Sequence, residues 1–393
     1  MLSISEIAKP LRQSGIRAAS TMCKALKGIN LGQGVCDIPV IDSIKQAAIE
    51  AIQANRSTYS ACEGAYALRQ AIADKVKHFN AFSVDPMSEV IATHGATGAF
   101  VCATKALFNP GDEVIVFEPF YGYHKNILDL MNVSVKGVPI SMSDYSIDLD
   151  KLTDSIGPNT KGIIICTPNN PTGKVFSKAE LLAIGEIACK HDLTIITDEI
   201  YEYITYPGFE HVSLAALSKE LAERTITISG FSKTFNMTGW RLGYATGPAH
   251  VIEKMSLIQD YYYVCPVTPL QYAGSQALAI SDDYYDNLKT MFLEKKTMTT
   301  NALHAMGFEF LEPQGAYYIL ADCSHFNNKN SQEVVDELMN KAKVATVSGQ
   351  AFYLNPEDSA HRIRFCYALD SDILKTAYQN LNDFISTDTA YTQ

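Results

Sequence analysis

Short apolar segments alternate with helical patterns through the middle of the chain. The segments are EVIATHG (89–95), DEVIVFEP (112–119), TKGIIICTPNNPTG (160–173), LTIITDEIY (193–201), TITISGFSK (225–233) and RLGYATGP (241–248). Runs such as GIIIC and TIIT lack a polar–apolar alternation, which is typical of strands covered on both faces. Between two of them, Ser177 and Glu180 form a capping box ahead of an apolar helical stripe. We therefore predict an α/β fold, with a mostly parallel central sheet covered by helices on both faces.

The C-terminal part of the chain has a different pattern. A long helical pattern (281–307) is followed by the segment 308–322, a second helical pattern (331–344) and the strand-like HRIRFCYAL (361–369), with more polar residues throughout. We predict a smaller α+β domain here, completed by the N-terminal segment. The expected division is a large domain at 45–275 and a small domain formed by 1–44 and 276–393.

Composition excludes several classes of protein. Of the 393 residues, 47% are hydrophobic and 19% are charged, as expected for a globular chain. A net charge of -11 argues against nucleic-acid binding, which needs clustered Lys and Arg. The chain has neither a signal-peptide core nor an eighteen-residue apolar run, so we expect no membrane partner and a cytoplasmic location. The nine cysteines include no CxxC pair, so they are predicted to be reduced and no metal site is expected.

Polar residues follow five of the apolar segments. They read HGATG, EPFYGY, NNPTG, DEIY and SGFSK. Ligands of open parallel sheets bind in the crevice outside the carboxyl ends of the strands. The five loops are therefore predicted to converge on one binding site for a small molecule.

Lys233 is the candidate nucleophile of that site. It directly follows an apolar strand, where partial desolvation lowers the pKa of a lysine and frees its amine to attack a carbonyl, as in a Schiff base. Asp198 ends another apolar strand and needs a cationic partner such as a protonated pyridine nitrogen. The alternatives are a surface lysine in a loop and an aspartate that caps a helix.

Three further loops offer groups for a ligand. Asn170 lies in a turn fixed by proline and glycine, although such a segment is often only a turn. The backbone at residues 94–100 opens a helix and suits a phosphate. Tyr121 can lie flat on a planar aromatic ligand, and Tyr201 lies on the same side as Asp198.

Together these motifs resemble the fold-type I pyridoxal-phosphate enzymes, specifically the class I/II aminotransferases. The resemblance rests on NNPTG, on TDEIY and on SGFSK with TGWRLGY, in that order along the chain, and it spans almost the whole chain. INLGQG, EPFY and IRFCYA further resemble the branch of kynurenine/glutamine transaminases and prokaryotic aspartate/aromatic transaminases. The resemblance implies that pyridoxal 5'-phosphate is the cofactor.

The resemblance also implies a role for each matching residue. The catalytic positions match Lys233, which forms the Schiff base, Asp198, which pairs with the pyridine nitrogen, and Tyr201. The remaining cofactor-binding positions match Gly95, Ala96, Thr97, Tyr121, Asn170, Ser229, Ser232, Arg241 and, from a neighbouring subunit, Tyr59. The substrate-binding positions match Gly34, Asn170 and Arg364, with Arg364 preferred to the nearby Arg362 for the α-carboxylate. A homodimer with shared active sites is therefore expected.

The implied activity is transfer of an amino group between an L-amino acid and a 2-oxo acid by a ping-pong mechanism. A carbon–sulfur β-lyase on the same scaffold and a non-catalytic sensor are the alternatives. Some relatives that act on dicarboxylates have a lysine where this chain has Thr97, and the sequence offers no obvious second cation. A neutral or aromatic donor is therefore preferred. Two departures are Gly230, where the best-known aspartate aminotransferases have a phosphate-binding serine, and the segment GVCDIPV (34–40) after INLGQ.

Overall fold

The computed structural model describes residues 2–326 and 329–387. The strands are β1 (Ile29–Asn30), β2 (Val90–Thr93), β3 (Glu113–Glu118), β4 (Ser134–Pro139), β5 (Thr160–Cys166), β6 (Thr194–Asp198), β7 (Thr225–Gly230), β8 (Gly243–Thr246), β9 (Tyr318–Asp322), β10 (Val344–Ala345), β11 (Val347–Ser348) and β12 (Arg362–Cys366). The α-helices are α1 (Gly15–Ala25), α2 (Asp42–Gln53), α3 (Tyr66–Lys75), α4 (Gly95–Leu107), α5 (Gly122–Asp129), α6 (Leu149–Asp154), α7 (Lys178–Lys190), α8 (Lys219–Ala222), α9 (Ala249–Tyr263), α10 (Thr268–Leu278), α11 (Asp282–Ala305), α12 (Ser331–Glu337) and α13 (Ser371–Thr387).

The central sheet has seven strands in the order β2-β8-β7-β6-β5-β3-β4. Strands β3 to β7 pair in parallel, whereas β8 is antiparallel to both β2 and β7. The α/β fold with a mostly parallel central sheet is confirmed. Because the strands are parallel, the loops after β5, β6 and β7 emerge at one edge of the sheet.

Helices cover both faces of this sheet. Ile163 and Ile165 of β5 belong to the apolar cluster that includes α7, whereas Ile164 belongs to the cluster that includes α4 and α9. Successive side chains of a strand point to opposite faces, so a sheet buried on both sides requires apolar residues at every position. Helix α7 begins with the predicted capping box between Ser177 and Glu180.

Two smaller sheets join the ends of the chain. Strands β11, β12 and β9 form an antiparallel sheet, and β1 pairs in parallel with β10, with Ile29 opposite Val344. The N-terminal segment is thus hydrogen-bonded to the C-terminal part. The domain boundaries at 45 and 275 stay a prediction. Within the described residues, every helix is too short or too polar to serve as a membrane span.

Candidate active site

A cavity of about 440 Å³ opens at the carboxyl ends of the central strands. It is bounded by the loops after β3, β5, β6 and β7, by the first turn of α4, and by residues of α1 and β12. Most of the residues predicted from the sequence line this cavity: Gly34, Ala96, Thr97, Tyr121, Asn170, Asp198, Tyr201, Ser232, Lys233, Arg241 and Arg364.

Lys233 lies in the turn after β7, with its amine inside the cavity. Its Nζ donates to the carbonyl oxygen of Gly34 at 2.7 Å and lies 5.7 Å and 5.8 Å from the ring centroids of Tyr201 and Tyr317. Burial lowers the pKa of Lys233 from 10.5 to about 8. At pH 7 about a tenth of this amine is therefore neutral and nucleophilic, far more than for a lysine with the ordinary pKa.

Asp198 ends β6, and its carboxylate is held from two sides. Oδ2 lies 3.0 Å from Nε2 of the buried His124, and Oδ1 accepts a hydrogen bond from the backbone N–H of Ile200 at 3.2 Å. The His124 ring is stacked on Phe100 at a centroid distance of 4.5 Å and is perpendicular to the ring of Tyr121 at a centroid distance of 5.4 Å. The carboxylate is therefore fixed in place at the base of the cavity.

Arg364 is a fully buried cation without a carboxylate partner among the described residues. Its Nη1 donates to Oδ1 of Asn170 at 2.7 Å and its Nη2 donates to the carbonyl oxygen of Gly32. The guanidinium lies between the rings of Tyr318 and Phe352, at 4.4 Å and 4.8 Å from their centroids, and its Nε has no partner. A buried charge needs an opposite charge, so this site calls for an anionic ligand. Arg362, by contrast, pairs with Asp322 at 3.4 Å.

Asn170 is oriented by the turn that contains it. Asn169 accepts from both the backbone N–H and the hydroxyl of Thr172, at 3.1 Å and 2.8 Å, which closes the NNPTG turn. Because Oδ1 of Asn170 accepts from Arg364, its amide N–H groups are left to donate to a ligand.

Tyr201 and Gly34 both contact Tyr318. The hydroxyls of Tyr201 and Tyr318 are 2.8 Å apart, and burial raises the pKa of Tyr201. A Cβ atom on Gly34 would lie 1.8 Å from Oη of Tyr318. The close approach of residue 34 to the hydroxyl of Tyr318 therefore requires glycine at position 34.

The positive end of the cavity is formed by Arg241 and the start of α4. Arg241 has a left-handed backbone (φ 54, ψ 48), and its Nη1 donates to the carbonyl oxygen of Thr238 at 2.9 Å. Its Nη2 would lie 2.6 Å from a Cβ on Gly95, so the guanidinium rests directly against the glycine backbone. A helix N-terminus beside a guanidinium suits a phosphate group.

Ser229 does not lie at the cavity, in contrast to the sequence-based expectation. Its hydroxyl donates to Oε1 of Glu202 at 2.6 Å, within a buried cluster that also holds Glu199, His211 and Lys75. Ser229 is part of β7, where it lies on the side of Glu202, whereas Ser232 lies beyond the strand end in the catalytic turn. Ligand atoms of the two glutamates and His211 lie within 4.8 Å of one another, but Nζ of Lys75, 2.6 Å from Glu202, already provides a cation there.

Gly230 packs closely against β8, and Tyr59 lies on the surface of the chain. A Cβ on Gly230 would lie 2.8 Å from Cα of Gly243 on β8, so the close pairing of β7 and β8 excludes a serine side chain without a shift. Tyr59 is 80% exposed and lies outside the cavity of its own chain.

Comparison with known proteins identifies the family. A model of aminotransferase class I and II matches residues 27–381. The chain belongs to the class I and II aminotransferase family. It is 33% identical over 386 residues to the aromatic-amino-acid aminotransferase 2 of Thermococcus litoralis and to an aspartate aminotransferase of Pyrococcus abyssi, with 97% of this chain and 96% of each relative covered. The solved N-succinyldiaminopimelate aminotransferase of Mycobacterium tuberculosis has a TM-score of 0.93 at 32% identity and covers 97% of this chain and 100% of its own.

This aminotransferase therefore has the fold-type I architecture and depends on pyridoxal phosphate, as its family does. The cavity fits that cofactor. It offers a lysine with a lowered pKa, a fixed carboxylate for the ring nitrogen and a guanidinium beside a helix N-terminus for the phosphate. The substrates are amino acids and 2-oxo acids, as the family implies.

Sequence reasoning missed several residues of the site. His124 follows EPFYGY directly and could have been found as a polar residue in a strand-end cluster. Tyr318 and Phe352 resemble ordinary core aromatics, and only the folded chain shows that they enclose Arg364. Arg17 lines the cavity from the first turn of α1, although the sequence offered no obvious second cation.

Proposed function

We propose that this aminotransferase transfers the amino group of a neutral or aromatic L-amino acid to a 2-oxo acid by a ping-pong mechanism. The observation that carries the proposal is the convergence, in one cavity, of a lysine whose pKa is lowered to about 8 and a buried arginine with no carboxylate partner among the described residues. Lys233 provides a base of suitable strength, and Arg364 provides a binding point for the α-carboxylate.

Lys233 has two tasks in this proposal. Its neutral amine would anchor the cofactor. Once an amino acid has displaced it, the same amine would remove the α-proton of the substrate and deliver a proton to the cofactor carbon bonded to the substrate nitrogen. The bound cofactor supplies an aromatic system that delocalises the electron pair left by that proton. The carbonyl of Gly34, 2.7 Å from Nζ, and the neighbouring rings orient the amine.

Asp198 and its neighbours set the charge at the base of the site. With His124 holding Oδ2, the Asp198 carboxylate would hold the ring nitrogen of the bound cofactor and keep it protonated. Tyr201 and the amide of Asn170 would donate to the ring oxygen. Because Tyr201 is fully buried and its pKa is raised, it stays a neutral donor across the working pH range.

The opposite end of the cavity holds the phosphate. We assign this role to Arg241, Ser232 and the backbone of Gly95, Ala96 and Thr97. The φ of 54° at Arg241 places its guanidinium against Gly95, where it is already oriented for a phosphate oxygen. Ser229 is excluded from this role by its hydrogen bond to Glu202.

The preference for a neutral or aromatic donor rests on the apolar part of the cavity lining. This part includes the side chains of Ile16, Val35, Tyr123 and Ile127. Apolar and aromatic surfaces favour side chains of the same kind, since each buried CH₂ group contributes about 0.8 kcal/mol. Substrates such as phenylalanine, leucine and methionine suit this surface.

We further propose a cytoplasmic homodimer with shared active sites. Tyr59 is 80% exposed, and the segment Tyr261 to Val264 is also exposed, with Tyr261 at 83%. Exposed aromatic groups of this kind are typical of subunit interfaces. In the dimer, Tyr59 reaches the phosphate site of the neighbouring subunit. Sedimentation of the purified protein and cofactor affinity of Tyr59→Phe test both parts of this proposal.

The experiment that tests the function uses the purified, cofactor-loaded enzyme. With L-phenylalanine alone, one equivalent of phenylpyruvate per subunit is expected, and turnover should continue only after a 2-oxo acid is added. Double-reciprocal plots at several acceptor concentrations should be parallel lines. Continuous release of ammonia from an amino acid without any 2-oxo acid would instead indicate a lyase and refute the proposal.

A further inference from the structure

We propose that Tyr317 is a positioning residue of the reaction, whose hydroxyl holds the carbonyl of Gly34 in the direction that the amine of Lys233 needs. This inference rests on the proposed function, because it assigns a partner to the base of that reaction. The Tyr317 hydroxyl donates to the carbonyl oxygen of Gly34 at 3.2 Å, and Nζ of Lys233 donates to the same oxygen at 2.7 Å. Tyr317 thus acts through Gly34, which lines the cavity.

The ring of Tyr317 is held rigidly. It is fully buried, it is stacked on Phe292 of α11 at a centroid distance of 5.3 Å, and it is perpendicular to the ring of Tyr201 at 5.2 Å. The backbone carbonyl of Tyr317 accepts a hydrogen bond from the N–H of Tyr367 at 3.1 Å. A close-packed interior keeps such a side chain in one rotamer, so its hydroxyl reaches Gly34 from a fixed direction.

Gly34 needs such a support. Glycine is required at this position because a Cβ atom would lie 1.8 Å from Oη of Tyr318, but glycine also has the most flexible backbone. The segment turns tightly here, since the N–H of Val35 donates to the carbonyl oxygen of Gln33 at 2.8 Å. The carbonyl of Gly34 takes no part in that turn and is held by Tyr317 and Lys233.

The shared carbonyl affects the basicity of Lys233 as well as its direction. In the proposed reaction, the freed amine has to be neutral to remove a proton. A carbonyl oxygen has two lone pairs, and donation by Tyr317 to this oxygen withdraws charge that would otherwise stabilise the ammonium form of Lys233. Without the hydroxyl, the oxygen would bind the protonated amine more strongly and in a less defined direction. The other titratable groups that face the amine, which Tyr317→Phe leaves unchanged, include Cys36, Asp198, Tyr201, Arg241, Arg364 and Cys366.

The first test uses the loaded enzyme with L-phenylalanine and α-deuterated L-phenylalanine as donors. In Tyr317→Phe, kcat should fall about 3- to 10-fold, the factor expected for one neutral hydrogen bond, and KM should stay almost the same. The isotope effect on kcat should increase, because proton removal becomes slower relative to the other steps. A 3-fluorotyrosine at position 317, which is a stronger donor of nearly the same size, should preserve kcat.

The second test needs no turnover. Cofactor-free protein combines with pyridoxal phosphate through the neutral amine of Lys233, so the ratio of the combination rates at pH 7 and pH 9.5 reports the neutral fraction of that amine. In Tyr317→Phe this ratio should fall about threefold, and with 3-fluorotyrosine it should rise above the wild-type value.

Tyr378→Phe is the matched control. Tyr378 is also buried, its hydroxyl lies 2.6 Å from that of Thr299, and it lies outside the catalytic cavity. It should keep the kcat, isotope effect and rate ratio of the wild type. If Tyr317→Phe keeps them too, or raises KM with kcat unchanged, the hydroxyl does not position Lys233 and the inference is wrong.

Two further outcomes keep the tests decisive. If Tyr317→Phe does not fold, the 3-fluorotyrosine variant decides alone, and a rate ratio equal to that of the wild type contradicts the role of Tyr317. A wild-type enzyme that releases no oxo acid from phenylalanine refutes the proposed function instead, so the two failures are distinct.

Discussion

Replacing Arg364 by lysine keeps the positive charge and removes the planar guanidinium. In the structure, Arg364 uses Nη1 and Nη2 to bind Asn170 and Gly32, is stacked between two aromatic rings, and has an unpartnered Nε. Lysine retains a point charge, so the substrate carboxylate loses one of two parallel charge-assisted hydrogen bonds and the stacked geometry. Hydrogen bonds to charged groups contribute about 1.5–3 kcal/mol each, and we expect a loss of about 2–4 kcal/mol in transition-state binding.

At about 1.36 kcal/mol per factor of ten, this loss corresponds to a fall in kcat/KM of about 30- to 1,000-fold for amino-acid donors. The assay compares L-phenylalanine with phenethylamine, which has the same side chain and amine but no carboxylate. Wild-type enzyme should strongly prefer phenylalanine. In Arg364→Lys, the preference should fall by the full factor, because the reaction of phenethylamine does not use the arginine.

The matched control is Arg362→Lys on the same strand, since Arg362 pairs with Asp322 outside the cavity. It should leave the preference unchanged, and both variants should bind pyridoxal phosphate as the wild type does. If Arg364→Lys slows phenylalanine and phenethylamine equally, Arg364 does not bind the substrate carboxylate and the assignment is wrong.

Three further predictions concern the scaffold of the site. In cofactor-free protein, Lys233→Met should raise the free energy of unfolding near pH 7 by about 2 kcal/mol. The substitution removes the cost of burying a charged amine whose pKa falls from 10.5 to about 8, and the loss of one hydrogen bond reduces that gain. The difference should shrink as pH rises from 8 to 10.5, where the folded wild type has released its proton and the unfolded chain has not, as urea titrations at each pH would show. Gly34→Ala should cost about 1–3 kcal/mol, since the new Cβ displaces Tyr318, and Tyr318→Phe in the same chain should recover part of that cost by removing the hydroxyl. Lys75→Met should lower the free energy of unfolding by about 3–5 kcal/mol at pH 7, because it removes the ion-pair partner of the buried Glu202, and the deficit in urea titrations should narrow as acid protonates that carboxylate.

Most strands of the central sheet could be predicted from the sequence, because burial on both faces leaves uninterrupted apolar runs. Strand β4 could not. It is one of the two edge strands of the sheet and, unlike the buried edge strand β2, it is half-exposed over most of its length and includes Lys136, whose Nζ lies 2.9 Å from Glu113. An exposed edge strand needs neither two apolar faces nor a complete ladder, so its composition resembles that of a loop. The antiparallel direction of β8 could not be predicted either, because the direction of a strand does not affect its side-chain composition.

The candidate site could be located from the sequence because the carboxyl ends of parallel strands lie at one edge of the sheet. The sequence does not show to which side of its strand or turn each polar side chain points. Ser229 and Ser232 are three residues apart in one motif, yet only Ser232 lines the cavity. Likewise, Arg17 is distant in sequence from every catalytic residue and reaches the site only through the packing of α1.

The segment TDEIYEY shows how one strand end serves both catalysis and stability. Asp198 faces the cavity, whereas Glu199 accepts hydrogen bonds from Thr197 and Ser213, and Glu202 pairs with Lys75. Three acidic residues close together would repel one another if they shared one environment. The chain separates them by placing one carboxylate at the cofactor cavity and two in a cluster that contains Lys75 and the imidazole of His211. That cluster holds the turn after β6 firmly, and so fixes the position of Asp198 at the cavity.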